Sequence, residues 1–279
     1  MRNALSVDVE DWFQVGAFEN TIDRADWNGL ESRVEANTDA VLDLFAAGGV
    51  KATFFTLGWV AERRPALIRR IAAAGHEVAS HGWDHQRVFA MTADEFRVDL
   101  ARARAALEDA GGVAVTGYRA PSFSIDTRTP WAHRVLAEAG YVYSSSIAPV
   151  KHDHYGWADA PRHAHRPLAD ADLIELPVTT MNVVGKTVTA GGGFFRLLPS
   201  AMTTRAIDAS NSVERPAVFY FHPWEIDPDQ PRVHAAPLKS RLRHYARLGA
   251  MAGKLRRLIR RHRWDRVDAV IADETAKLQ

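Results

Sequence analysis

Apolar positions along this chain switch between two periods in regular alternation. Short β-branched or aromatic runs read as buried strands: "ALSVDV" from Ala4, "VKATFFTLG" from Val50, "EVASH" from Glu77, "VTGYRAPSF" from Val115 and "YVYSSSI" from Tyr141. Helical spacing fills the stretches between them. "SRVEANTDAVLDLFAAGG" ends on Gly48 and Gly49, a C-cap pattern, and "ERRPALIRRIAAAGH" predicts one helix closing at Gly75. "TADEFRVDLARARAALEDAGG" opens on Thr92 with Glu95 following at the capping-box spacing, and "PWAHRVLAEAG" predicts a further helix. "LIELPVTT" and "PAVFYFHPWEI" return to strand character. Strand and helix in turn predict a parallel α/β architecture, either a barrel or a doubly wound sheet. Residues 148–200 are less regular, and "VKHDHYGWADAPRHAHRPL" reads as a long excursion. With no repeat, low-complexity tract or linker, residues 1–279 are expected to form a single domain.

Composition narrows this picture. At 279 residues and 47% hydrophobic content, the chain can bury a substantial core. It has no cysteine, which excludes disulfides, thiolate metal sites and cysteine nucleophiles. Neither a secretory leader nor a run of ~20 apolar residues is evident, so a cytoplasmic location is the expectation. Net charge is +1, but it is unevenly spread. Residues 239–266 hold 11 Lys or Arg against Asp265 alone, a local +10, and the remainder carries −9. Leu242, Tyr245, Leu255, Leu258 and Ile259 give this tail an amphipathic helical pattern, expected over about 238–266. A packed helix with a solvated basic face is one reading, and contact with an anionic surface is the other. Nucleic acid is not expected, because no binding module accompanies the charge.

Candidate chemistry gathers where strands should end. "SVDVEDWF" packs Asp8, Glu10 and Asp11 against a buried strand. "SHGWDH" holds His81 and His85 four positions apart, on one face of either a helix or an extended path. Two imidazoles and one carboxylate make a three-ligand site for a divalent cation with a position left open. Arg119 follows another strand, and His222 ends the apolar run "AVFYF". Functional groups of α/β folds collect at the carboxyl ends of parallel strands, and Asp8, His81, Arg119 and His222 are all expected there. No G-x-S-x-G elbow is present, which argues against a serine hydrolase.

In order and spacing these motifs resemble the polysaccharide deacetylases of carbohydrate esterase family 4. "SVDVEDWFQV", "SHGWDH", "YRAPSFSI", "GGGFFRLLP" and "FHPWEID" are similar to the exosortase-associated exopolysaccharide deacetylase subfamily, over nearly the whole chain. The resemblance implies a deformed (β/α) barrel of about seven strands and hydrolysis of N-acetyl groups on the amino sugars of a polysaccharide. It also implies a divalent metal, usually zinc. By its motifs Asp8 is the base, His222 the acid, Arg119 the residue that holds the base, and His81 and His85 are metal ligands. Pro121 and Phe123 fall in the motif that lines the groove. The third ligand stays open: strand alternation selects Glu10, and Asp11 is the alternative if the chain kinks after Asp8. Ser144 departs from the family pattern, where an Asp orients the acid histidine; Glu225 or Asp227 is the candidate substitute. Trp12, Phe13, Trp83, Phe123, Trp157 and Trp224 are candidates to stack on sugar rings, and about two are expected to face a groove. Two other readings remain: a related amide hydrolase acting on a small non-glycan substrate, and a non-catalytic glycan-binding protein.

Overall fold

The computed structural model describes residues 1–151 and 155–276; residues 152–154, within the predicted excursion, and 277–279 lie outside it. Ten strands are present among the described residues: β1 (Arg2–Val9), β2 (Thr53–Thr56), β3 (Glu77–Ser80), β4 (Gly117–Tyr118), β5 (Tyr143–Ser144), β6 (Ile174–Glu175), β7 (Thr180–Val183), β8 (Lys186–Thr189), β9 (Val218–Phe221) and β10 (Arg263–Asp265). The helices are α1 (Val34–Gly48), α2 (Gly58–Arg63), α3 (Pro65–Ala73), α4 (Ala93–Gly111), α5 (Ala132–Glu138), α6 (Gly192–Leu197), α7 (Ser200–Ser212), α8 (Leu238–Tyr245), α9 (Leu248–Arg261) and α10 (Val267–Thr275).

Seven parallel strands run in the order β9-β1-β2-β3-β4-β5-β6 and form a half-barrel. The first residues of β1 also pair with β10, and β7 and β8 form a separate antiparallel hairpin. After β6, the Thr179 amide donates to the Val218 carbonyl at 3.1 Å, which ties the far end of the sheet back to β9. The period of two along β1 decides which residues meet. Leu5, Val7 and Val9 face the helical layer and join its apolar core, while Ala4 joins the smaller core inside the barrel. Ser6 and Asp8 share the inward parity of Ala4.

Local signals set the boundaries of several elements. Gly49 caps α1 at φ 64°, and Thr92 with Glu95 forms the capping box of α4. The single helix expected over 62–76 is instead two. Pro65 opens α3 and forces Arg64 out of helical geometry, at φ −131° and ψ 53°, so α2 stops before it.

The basic tail also divides. Arg247 takes φ 58° between α8 and α9, and residues 263–265, expected to be helical, are the strand β10. Leu255, Leu258 and Ile259 are buried, whereas Leu242 is 63% exposed. Not all of the charge is solvated. Lys254 is buried, and its ammonium donates to the carbonyls of Phe195, Arg196 and Leu198 at 2.6–3.0 Å, closing the end of α6. Opposite charge at a helix C-terminus is favourable.

At the other end of the barrel, Glu77 is buried and accepts hydrogen bonds from Thr53, from the Tyr143 hydroxyl at 2.8 Å and from the Asp268 amide at 3.2 Å. Burial first, then the Asp268 carboxylate, pushes its acid up to about 7. An acid raised on folding costs stability as it ionises, so the contribution of Glu77 falls as pH rises from its ordinary value toward 7. Denaturant unfolding of the wild type and of Glu77→Gln at pH 5 and at pH 7.5 checks this. The stability difference between the two proteins should shift toward the variant at the higher pH; a pH-independent difference contradicts it.

Candidate active site

The carboxyl ends of β1, β3, β4 and β9 meet at one edge of the half-barrel. Asp8 lies at the end of β1, and His81, Arg119 and His222 each follow directly on their strands. Asp8, His81 and His222 line a cleft of about 380 Å³ together with Glu10, His85, Phe123, Tyr155, Tyr220 and Trp224.

Arg119 is fully buried and organises the floor. Its Nη1 donates to Asp8 Oδ1 and to Ser6 Oγ, both at 2.7 Å. Its Nε donates to the Ser145 carbonyl at 3.0 Å and its Nη2 to Ser145 Oγ at 2.9 Å. The guanidinium also lies 4.1 Å from the centre of the Phe55 ring, a cation–π contact. Asp8 is thereby fixed in place, with Oδ2 turned toward His222 Nε2 at 4.0 Å.

Beside this pair, Glu10, His81 and His85 bring one ligand atom each within 4.8 Å of one another, and all three are buried. His81 Nδ1–H donates to the Arg119 carbonyl at 2.8 Å, which leaves the Nε2 lone pair for the cleft. Glu10 Oε1 accepts from Trp224 Nε1 at 3.1 Å, whereas Oε2 is buried without a hydrogen-bond donor, 2.8 Å from His85 Nε2. A buried carboxylate oxygen set against an imidazole nitrogen fits a cation between them. The protonation states agree. Burial raises the Glu10 acid, but His85, His222 and His81 outweigh it and hold it at about 2; burial first pushes His81 down to about 4. Ionised carboxylate and neutral imidazole are the forms that ligate.

Asp11 is engaged elsewhere. Its carboxylate accepts from the amides of Trp12, Arg33 and Val34 at 3.0–3.3 Å and so satisfies the start of α1, while burial raises its acid.

Of the two acids that could stand in for the family's Asp at position 144, Glu225 is the one that meets His222. Ser144 Oγ donates to Ser146 Oγ at 2.7 Å, and the partner of His222 Nδ1 is Glu225 Oε1 at 2.8 Å. Glu225 also accepts from the His222 amide at 3.2 Å, and its Oε2 lies 3.7 Å from Arg196 Nε. Burial lowers His222, but Glu10, Glu225 and Asp8 outweigh it and raise it to about 9. Asp227 turns outward to pair with Arg33 at 2.6 Å.

Of the six stacking candidates, Phe123 and Trp224 line the cleft. Trp12 and Phe13 pack in an apolar cluster that also holds Trp27 and Trp224, and neither they nor Trp157 line the cleft. Trp83 is turned away: it packs against Gly58 of α2, lies under Arg102 of α4 at 3.4 Å and borders a surface pocket beside Pro65. Pro121 is buried under the turn that presents Phe123.

His85, Ser122 and Phe123, at φ 63°, 54° and 51°, all line the cleft in a region that L-residues rarely adopt. Such strain persists where surrounding structure holds it, often at functional sites. Gly191 and Gly192 admit the Tyr220 ring, since a Cβ on either would come within 3.0 Å of Tyr220 atoms. Tyr155, Tyr220, Arg87, Lys239 and Arg243 were not distinguishable in the sequence, because only long-range folding brings them to the cleft.

This geometry can be set beside known proteins. A family model described as polysaccharide deacetylase matches residues 21–144, and one described as a domain of unknown function (DUF3473) matches residues 145–272. A chitooligosaccharide deacetylase of Sinorhizobium fredii is 36% identical over 135 residues, covering 48% of this chain and 56% of that protein. A peptidoglycan deacetylase of Helicobacter pylori is 32% identical over 113 residues, covering 40% of this chain and 38% of that protein. The matched stretch thus spans less than two-thirds of either relative. A crystal structure from Mycobacterium smegmatis, assigned as a polysaccharide deacetylase, superposes with a TM-score of 0.64 at 22% identity, over 99% of this chain and 91% of that one. The half-barrel shares the fold of the Mycobacterium smegmatis structure, and the polysaccharide deacetylase model is matched by residues 21–144 of the chain.

Metal titration by calorimetry separates the two carboxylates. Glu10→Ala should weaken zinc or cobalt binding at least ~10-fold, since a ligand and its charge are lost. Asp11→Ala should leave binding intact and lower stability by about 1–3 kcal/mol, because buried amides lose their acceptor. The reverse pattern would reassign the ligand.

Proposed function

We propose that this protein is a metal-dependent hydrolase that removes N-acetyl groups from amino sugars of a polysaccharide, with an exopolysaccharide of the exosortase-associated type as substrate. The observation that carries the reading is the convergence, in one cleft, of a cation-binding triad with a clamped carboxylate and a carboxylate-bound imidazole. Binding a glycan would need neither of the last two. Both family-matched stretches contribute to the site: His81, His85 and Arg119 lie in the first, and His222, Trp224 and Glu225 in the second, while Asp8 and Glu10 precede both. We accordingly treat the described chain as one functional domain.

Glu10, His81 and His85 would hold the cation, with zinc the metal we favour for this donor set. When bound, it supplies Lewis-acid polarisation of the acetyl carbonyl and acidification of a water. The chain does the rest. Asp8, oriented by its hydrogen bond from Arg119, accepts the proton of the attacking water. His222 Nε2 faces the same space, and its proton goes to the leaving amine nitrogen as the C–N bond breaks, releasing acetate and a free amino sugar. Glu225 fixes the Nδ1–H tautomer, so that Nε2 is the nitrogen directed at the cleft. It thereby takes the orienting role that the Ser144 departure leaves open. Phe123 is the aromatic ring we assign to stacking on a sugar, whereas Trp224 borders the cleft with its ring stacked on His222 and His244. Among the described residues no helix is long and apolar enough to cross a membrane.

Acetate release from N-acetylated amino-sugar oligomers, with metal-stripped protein and zinc or cobalt added back, tests this. Release should require metal and fall by ~10²–10⁴-fold in Asp8→Asn, the range for loss of a general base. Glu225→Gln should lower kcat more than KM. Tight metal binding with no release from any glycan would move the protein to another amide substrate or to glycan binding.

A further inference from the structure

Part of the basic tail is built into the cleft. Lys239, Ser240 and Arg243, from α8, line the same cavity as Asp8, His81 and His222. Lys239 and Arg243 sit four positions apart, hence on one face of the helix. Both are exposed, and neither has a carboxylate within salt-bridge distance among the described residues. The other cation of the rim, Arg87, is already paired with Glu19 at 2.8 Å. The floor carboxylates are engaged as well, Asp8 by Arg119 and Glu10 by its imidazole neighbours. Among the described residues, two cationic side chains at the mouth therefore have no carboxylate partner.

A solvated helix face would not need the anchoring that α8 has. The ring of its His244 is buried and stacks on Trp224, with centroids 4.3 Å apart and planes 16° apart, and Trp224 in turn donates to Glu10. His244 Nε2 bonds Gln230 Oε1 at 2.6 Å. Buried Arg196 donates to the carbonyls of His244 and Arg243 at 2.8 and 2.7 Å, and lies 3.7 Å from the carboxylate that holds His222. The last turn of α8 is thus pinned to the residues that carry the proposed chemistry. Arg243 is fixed in register with the site, and Lys239 projects one turn further along the same face.

We infer that this cleft takes an acidic glycan, in which a sugar next to the N-acetylated residue carries a carboxylate or phosphate, and that Lys239 and Arg243 recognise that group. The inference rests on the deacetylase reading and adds the charge of the substrate. Opposite charges at a partly enclosed mouth attract more strongly than in open solvent, and the attraction weakens with salt. The neutral polar groups of Asn20, Thr21 and Ser240 on the same lining suit sugar hydroxyls.

The test measures binding by the Asp8→Asn protein, loaded with zinc, so that turnover does not intrude. Three probes are compared at low and high salt: a neutral chitotetraose, a tetrasaccharide of alternating N-acetylglucosamine and glucuronate, and a phosphorylated N-acetylglucosamine. An acidic probe should bind about tenfold tighter than chitotetraose at low salt, the sum of two partly screened ion pairs. Which acidic probe gains identifies carboxylate or phosphate. Adding Lys239→Gln and Arg243→Gln should abolish the gain, so that acidic and neutral probes bind alike. Arg241→Gln, on the same helix but outside the cleft lining, should preserve it. Equal affinity for neutral and acidic probes, or a gain that survives the double substitution, overturns the inference. Acetate release by the wild type from chitotetraose, with no preference for acidic probes, would leave the deacetylase reading standing alone. A charge preference without acetate release from any probe would do the opposite.

Discussion

The buried ion pair between Arg119 and Asp8 is the constraint around which the site is arranged. It joins the end of β1 to the turn after β4, and through Ser145 it reaches the end of β5. A guanidinium taken wholly out of water must have its donors satisfied, and here every side-chain nitrogen of Arg119 donates to oxygen. The same residue sets the His81 tautomer through its backbone carbonyl. Asp8 and the Glu10–His81–His85 cluster are therefore both tied to one side chain and its own peptide. Loss of either partner would strand a buried charge, at a cost of about 3–5 kcal/mol.

A second network starts at the opposite wall and meets the first at Glu10. Trp224 donates to Glu10, stacks on His222 and His244, and lies 5.3 Å from the Arg196 guanidinium. Arg196 faces Glu225, which holds His222. These residues come from "GGGFFRLLP", "FHPWEID" and the basic tail, segments with little in common when read one at a time. Folded, they form a single chain of contacts behind His222. The boundary between the two family matches, at residues 144 and 145, falls beside β5, and the half-barrel continues across it.

Basic residues in the tail have three different settings. Lys254 closes the end of α6, Arg263 pairs in register along β1, and Lys239 with Arg243 faces the cleft. A charge count cannot separate these cases, because the number of charges is a property of composition and their partners are a property of packing.

The sequence by itself determined the alternation of strands and helices, the capping box of α4 and the strand ends that bear Asp8, His81, Arg119 and His222. Each of these follows from local periodicity, and period two on β1 already placed Asp8 and Glu10 on one side. Where Asp11 goes could be decided only in three dimensions, since the amides it satisfies belong to α1, 22 and 23 residues away. The helix expected over 62–76 divided because the Pro65 ring conflicts with the preceding turn, a local rule outweighed in the reading by strong apolar spacing. Trp83 and Trp224 are both tryptophans in "SHGWDH" and "FHPWEID", yet one packs outward against α4 and the other faces the cleft. The partner of His222 is likewise tertiary in origin. Glu225 is near in sequence, but it is the short helical turn after β9 and the buried Arg196 behind it that direct its carboxylate at the ring. Periodicity fixes which side of an element a residue occupies; what it meets there depends on elements that arrive from elsewhere in the chain.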